Sequence, residues 1–314
     1  MSLLFFCFSF INGQTLFQKG DFLFKQEKFI EARPIFENHL KQYPKDKQTL
    51  EYLGDIAGHS KDWNKAIFYY EVLVNEDPSN ANYHYKYGGA LGMKAMSVSR
   101  FRALSYIGII KNELELAAQL DPKHVETRWA LIEFYIQLPT IFGGNEIRAI
   151  QYASELCKIS KVDGHLALGH ITEHYGRFQE AERHYINAIE AGGSPHTYEK
   201  LIKLYEKDDQ PEKAIHTASI SLKLHQRNRL NYQIGKICAE YNLELEYGIQ
   251  RLSDYLANFS DKEEVPKEWA FYRMAQLYRN RGEMEMALTW INKALLERSY
   301  FKEALEEKFL ILSL

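Results

Sequence analysis

Residues 51–80 read EYLGDIAGHSKDWNKAIFYYEVLVNEDPSN. Apolar residues recur at helical spacing in its first half, a short polar turn follows at Ser60–Asp62, and a second helical stripe runs from Ala66 to Leu73. Gly54 and Ala66 stand twelve residues apart, Tyr70 follows one turn later, and Pro78 closes the segment. Small residues on two facing helices let the helices approach closely. A single pair so built cannot bury its apolar face alone, so it needs neighbours of the same kind.

Those neighbours are present along the chain. The twelve-residue gap from a position opening the first helix face to an alanine recurs at Gly20/Ala32, Gly169/Ala181, Ile202/Ala214 and Ala275/Ala287. Aromatics sit four residues past the alanine at Phe36, Tyr70 and Tyr185, and Pro44, Pro78 and Pro122 fall at one phase. The pattern resembles the tetratricopeptide repeat (TPR) family, whose unit is about 34 residues and has a small residue, an alanine, a bulky residue and a proline in that order. Units 13–46, 47–80, 162–194 and 268–301 carry it best, and 81–124, 125–161, 195–227 and 228–267 more weakly, the unit around Gly235 and Gly248 being degenerate. The resemblance implies an all-α, right-handed superhelical solenoid of about eight antiparallel helix pairs. It covers residues 13–301, preceded by an apolar segment at 1–12 and followed by a C-terminal capping helix at 302–314. The 21 Tyr and 18 Phe are what such a fold uses to fill its inter-helix gaps. The apolar end of the cap (Phe309, Leu310, Ile311, Leu312, Leu314) requires cover from the array or from a partner.

Two departures stand out. Gly88 and its counterpart Ile110 are separated by 22 residues, ten more than the repeat needs, which places an insertion near 93–105 that either lengthens both helices or forms a projecting loop. Ile132 and Ala149 are separated by 17. Pro139 and Gly143–Gly144 there predict an early end to the first helix and a wide turn over 138–145. That turn is similar to one in exported bacterial TPR proteins such as the TatT-like components of transporters, which implies an envelope transport accessory as one alternative function.

Composition narrows the field. With 39 Lys and Arg against 42 Asp and Glu, the net charge of −3 gives no basic surface for nucleic acid. Leu3–Ile11 resembles the apolar core of a secretory signal but is too short to span a bilayer, and no basic residue precedes Lys19. It predicts a periplasmic or secreted chain without an integral membrane span, or a cytoplasmic one where the segment instead caps the first helix pair. Cys7 lacks the small residues that precede a lipidated cysteine. Cys157 and Cys238 have no metal-ligand spacing and read as free buried thiols, a single bridge between them being the alternative.

HITEH at 170–174 has the spacing of zinc peptidases and supplies the competing function, a metal-dependent hydrolase or metal-binding accessory. In the repeat frame, however, His170, Glu173 and His174 occupy variable positions on one exposed face of a first helix. Catalytic zinc needs a third protein ligand and an open position. His165 lies over a turn away and His184 belongs to the second helix. Glu206 and Asp208 read as solvated turn carboxylates. No P-loop, nucleophile elbow or dinucleotide fingerprint occurs, so no cofactor is implied and a non-enzymatic scaffold is the expected function.

The resemblance implies that the partner, a protein or peptide, lies in a concave groove lined by the first helices. Tyr85, Trp129 and Glu133 line it in the front half, and His170, His174 and Lys203 in the middle. At the back, Tyr232, Trp269 and Tyr272 are the expected aromatic anchors, and Lys236 and Arg279 the expected carboxylate partners.

Overall fold

The structure is a computed structural model that describes residues 16–314, so the 1–12 segment and Cys7 lie outside the described residues. The chain divides into two compact units, Met1–Ile159 and Ser160–Leu314. Among the described residues every regular element is helical and none is a strand.

The first unit contains α1 (residues 16–25), α2 (Phe29–Gln42), α3 (Lys47–His59), α4 (Trp63–Glu76), α5 (Ala81–Met96), α6 (Arg100–Leu120), α7 (Val125–Gln137), a 3₁₀ turn (Thr140–Phe142) and α8 (Glu146–Ile159). The second contains α9 (Lys161–His174), α10 (Phe178–Gly192), α11 (Pro195–Lys207), α12 (Pro211–His225), α13 (Asn228–Tyr241), α14 (Leu245–Ala257), α15 (Lys267–Asn280), α16 (Met284–Glu297) and α17 (Lys302–Ser313). Within each unit, helices joined by short turns pack on one another, and each pair packs on the next. Odd-numbered helices are therefore the first members of antiparallel pairs and even-numbered ones the second. Polar side chains start many of them. Asp46 accepts from the Thr49 amide, Asp62 from Lys65, Asn80 from Tyr83 and Ser194 from Thr197, satisfying amides that a helix start leaves without carbonyl partners.

The close approach inside a pair has a sharper cause than small residues facing each other. A Cβ placed on Gly54 would lie 2.5 Å from Tyr70 Cε1. The ring one turn beyond Ala66 is what fills the glycine's space, and Phe36 sits on Gly20 and Tyr185 on Gly169 in the same way. Ala32, Ala66 and Ala181 are fully buried alongside these rings. The hydroxyls of Tyr70 and Tyr185 reach back to first-helix carboxylates, Asp55 at 2.6 Å and Glu173 at 2.7 Å. Burial, then those carboxylates, drives both phenol pKa values upward.

The two insertions take different forms. Gly88 packs on Leu114, four residues past Ile110, so the repeat register holds there. Helix α5 continues eight residues past Gly88, where α3 stops five past Gly54, and α6 starts ten residues before Ile110, where α4 starts three before Ala66. The extra residues thus extend two helices. In contrast, α7 does not end early: it stops five residues past Ile132, as α3 does past Gly54, and the added residues form the 138–145 turn. Gly144 is required there, since a Cβ would lie 1.8 Å from the Leu138 carbonyl oxygen.

Cys157 and Cys238 are both free thiols. On α17, Ile311 is buried while Phe309, Leu310, Leu312 and Leu314 remain exposed. Among the described residues no helix is long and apolar enough to cross a membrane.

Candidate functional site

Among the first helices of the second unit, α9 packs on α11, α13 on α15 and α15 on α17, while α11 and α13 meet through their side chains. Their shared face is tied together by a ladder of ion pairs. Lys207 on α11 reaches Glu173 on α9 at 3.0 Å. Arg229 on α13 reaches Glu199 on α11 at 2.9 Å, and Lys236 reaches Glu206 at 2.9 Å. Arg273 on α15 reaches Glu240 on α13 at 2.6 Å. In the last rung the order reverses, with Arg279 on α15 meeting Glu307 on α17 at 2.5 Å. The first unit has an equivalent, in which Lys86 on α5 sits between Glu51 (2.7 Å) and Asp55 (2.8 Å) of α3.

Half-exposed pairs of this kind contribute about 0–1 kcal/mol each, so the ladder orders side chains more than it stabilises the fold. The exception is Glu307, which is 3% exposed and has Arg279 as its ion-pair partner, so removing that partner is costly. Burial opposes the charge of Lys86, but Asp55 and Glu51 outweigh it and hold the ammonium pKa above its ordinary value. Burial likewise pulls on Lys236, and Glu206 and then Glu240 push its pKa up.

This ladder changes the expected roles of several residues. Lys236 and Arg279 are committed to Glu206 and Glu307 rather than held open for a ligand carboxylate. Glu206 belongs to α11 and is a rung, also accepting from Gln233 at 3.1 Å, and not a solvated turn acid. Tyr232 is 8% exposed, its ring 5.5 Å from that of Tyr255 on α14, so it is a core residue and not an exposed anchor. Trp269 and Tyr272 are half-buried, and both rings rest on Phe301, at 4.6 and 5.6 Å. Lys203 is 60% exposed and pairs within its own helix, with Glu199 at 2.6 Å. In the first unit, Tyr85 is half-buried against the His124 ring at 5.1 Å, and Trp129 and Glu133 are half-buried one turn apart on α7.

At HITEH, His170 is half-buried and His174 exposed. Glu173, which a zinc hydrolase would use as its base, is held by the Tyr185 hydroxyl and by Lys207. His165 and His184 face each other with ring centroids 6.0 Å apart. Among the described residues no group of three or more His, Cys, Asp or Glu side chains is placed to hold a metal ion. Glu206, Glu240, Lys207 and Arg229 escaped the sequence reading of the groove. Their signal was present as opposite charges about one repeat apart, as in Glu206 and Lys236.

Residues 270–299 match the sequence profile of the tetratricopeptide repeat. A tetratricopeptide repeat protein from Parabacteroides merdae superposes with a TM-score of 0.50 at 15% identity, over 96% of this chain and 98% of that one. YrrB, a TPR protein with an unusual peptide-binding site, matches 62% of this chain and 97% of its own at 18% identity and a TM-score of 0.45. TTC0263, a TPR protein of Thermus thermophilus, matches 78% of this chain and 99% of its own at 16% identity and a TM-score of 0.41. No functionally curated protein matches the sequence.

Proposed function

Because the chain folds as a tetratricopeptide-repeat protein, with the repeat's own sequence at 270–299, we propose that it is a non-enzymatic scaffold that holds a protein or peptide segment along its first-helix face in the second unit. The ion-pair ladder is the observation that supports this reading most. It fixes half-exposed Lys, Arg and Glu side chains in one arrangement before any partner arrives, so little side-chain entropy is lost on binding. The cations have spare N–H donors beyond those used in the rungs, and a peptide backbone or a mixed-charge segment supplies the acceptors. Exposed His174 and Lys203 flank the ladder, and the half-buried Trp269 and Tyr272 offer ring edges at its far end.

The experiment is an affinity capture with the full chain. His174→Ala combined with Lys203→Gln changes two exposed side chains, places no new charge beside the Glu199 rung and leaves the melting temperature unchanged. Partner retention by the wild type and its loss in this variant is the expected result. Equal retention by both would remove the first-helix face from the reading. The same reading places the chain outside the cytoplasm, on the strength of the apolar Leu3–Ile11 segment. Sequencing the mature N-terminus tests it, and an intact Met1 on cytoplasmic protein would overturn that part alone.

A further inference from the structure

Antiparallel pairing puts every turn between the two helices of a pair on one edge of a unit, and every turn between pairs on the other. In the first unit these two edges differ in chemistry. The between-pair edge is polar, with Pro44, Pro78 and Pro122 beside Asp46, Asp77 and Asp121. The within-pair edge carries the extended tips of α5 and α6. Seven extra residues on α6 project it about 10 Å beyond the start of α4, at about 1.5 Å per residue. On these tips Met96 is 82% exposed and Phe101 89%, with Met93 and Leu104 also exposed. The neighbouring 138–147 segment adds Ile141 at 85% and Ile147 at 79%.

Charge is segregated to the same place. Between Asp77 and Glu113 the sequence contains no acidic residue, yet it carries Lys86, Lys94, Arg100, Arg102 and Lys111, in a chain whose net charge is −3. Of these, Lys86 is spent on Glu51 and Asp55. Arg100 and Arg102 are exposed and flank Phe101. Glu146 at the start of α8 is offset in charge by Arg148. In the second unit the corresponding turns carry Asp208, Asp209, Glu244 and Glu283 against Arg177 and Arg281, and none holds an exposed Phe or Met between cations, so this chemistry belongs to one edge and not to the repeat as such.

We propose that this edge of the first unit docks on an anionic lipid surface, with Met96 and Phe101 entering the headgroup boundary and Arg100 and Arg102 meeting lipid phosphates. Exposed apolar side chains set between cations on a projecting tip match the two attractions an interfacial contact uses, apolar burial at the headgroup boundary and charge against anionic lipid. The inference is independent of the first-helix face and its partner.

The test is cosedimentation of the full chain with phosphatidylcholine vesicles containing a minority of phosphatidylglycerol, against pure phosphatidylcholine. Wild-type protein sediments with the anionic vesicles and is released by salt. Arg100→Gln/Arg102→Gln weakens binding about 30-fold, taking roughly a tenfold loss per 1.4 kcal/mol and about 1 kcal/mol per cation near the surface. Met96→Ser/Phe101→Ser abolishes it. All four side chains are exposed, so unchanged circular dichroism and melting confirm that both variants fold. Failure of the wild type to sediment, sedimentation indifferent to both variants, or capture of a soluble acidic protein by this edge without vesicle binding would each overturn the proposal.

Discussion

Replacing Gly54 with alanine tests the packing rule from which the fold follows. The added Cβ would lie 2.5 Å from Tyr70 Cε1 and 2.8 Å from Cζ, where ordinary carbon contacts are about 3.5–4.0 Å. The ring therefore has to retreat by about 1 Å. It has little room to do so, being 6% exposed with its hydroxyl held 2.6 Å from Asp55, itself bound by Lys86. Overpacking of this kind costs about 2 kcal/mol, while exchanging glycine for alanine inside a helix returns about 1 kcal/mol. The net expectation is a loss of about 1 kcal/mol, read as a lower urea midpoint by far-ultraviolet circular dichroism. Tyr70 variants identify the cause. With Tyr70→Phe the ring remains and so does the penalty. With Tyr70→Leu the clash goes, and Gly54→Ala becomes stabilising by about 1 kcal/mol through helix propensity alone. A Gly54→Ala protein as stable as wild type, or an effect of the same sign in the Tyr70→Leu background, would refute the idea that the ring sets the helix separation.

Arg279→Ala strands the buried Glu307 carboxylate and lowers stability by about 3 kcal/mol in urea unfolding, whereas Arg279→Ala/Glu307→Leu recovers most of the loss. His184 is pushed below its ordinary value of 6.5 first by burial, then by His165 and Arg183, against the pull of Glu180. Below 6.5 the unfolded chain takes up a proton that the folded chain does not, so stability is full above that pH and falls as the pH drops beneath it. A pH series of melting temperatures shows this fall, and His184→Gln flattens it.

The pair architecture was legible because it is written in local sterics. Gly54, Ala66 and Tyr70 lie within sixteen residues of one another in sequence, and their spacing alone requires two close antiparallel helices. The first-helix face was less legible because its side chains answer to residues about thirty positions away. Lys236 and Arg279 looked open only so long as Glu206 and Glu307 were not placed opposite them. Tyr232 has the same helical phase as the half-buried Glu51, Glu199 and Tyr272 of other repeats, but Tyr255 and its neighbours cover it more fully. The Ile132–Ala149 spacing revealed how many residues were added, while only the backbone shows that they all fall after α7.

The reversal at the last rung has a consequence for how the array is assembled. From α9 to α15 each carboxylate lies on the earlier helix and each cation on the later one. Helix α17 presents Glu307 instead, and α15 meets it with Arg279. Were α17 to seat one place too soon, against α13, Glu307 would face Glu240, the carboxylate that Arg273 of α15 pairs with, instead of the Arg279 guanidinium. The polarity of a single ion pair thus distinguishes α17 from the first helices before it and makes its place against α15 specific.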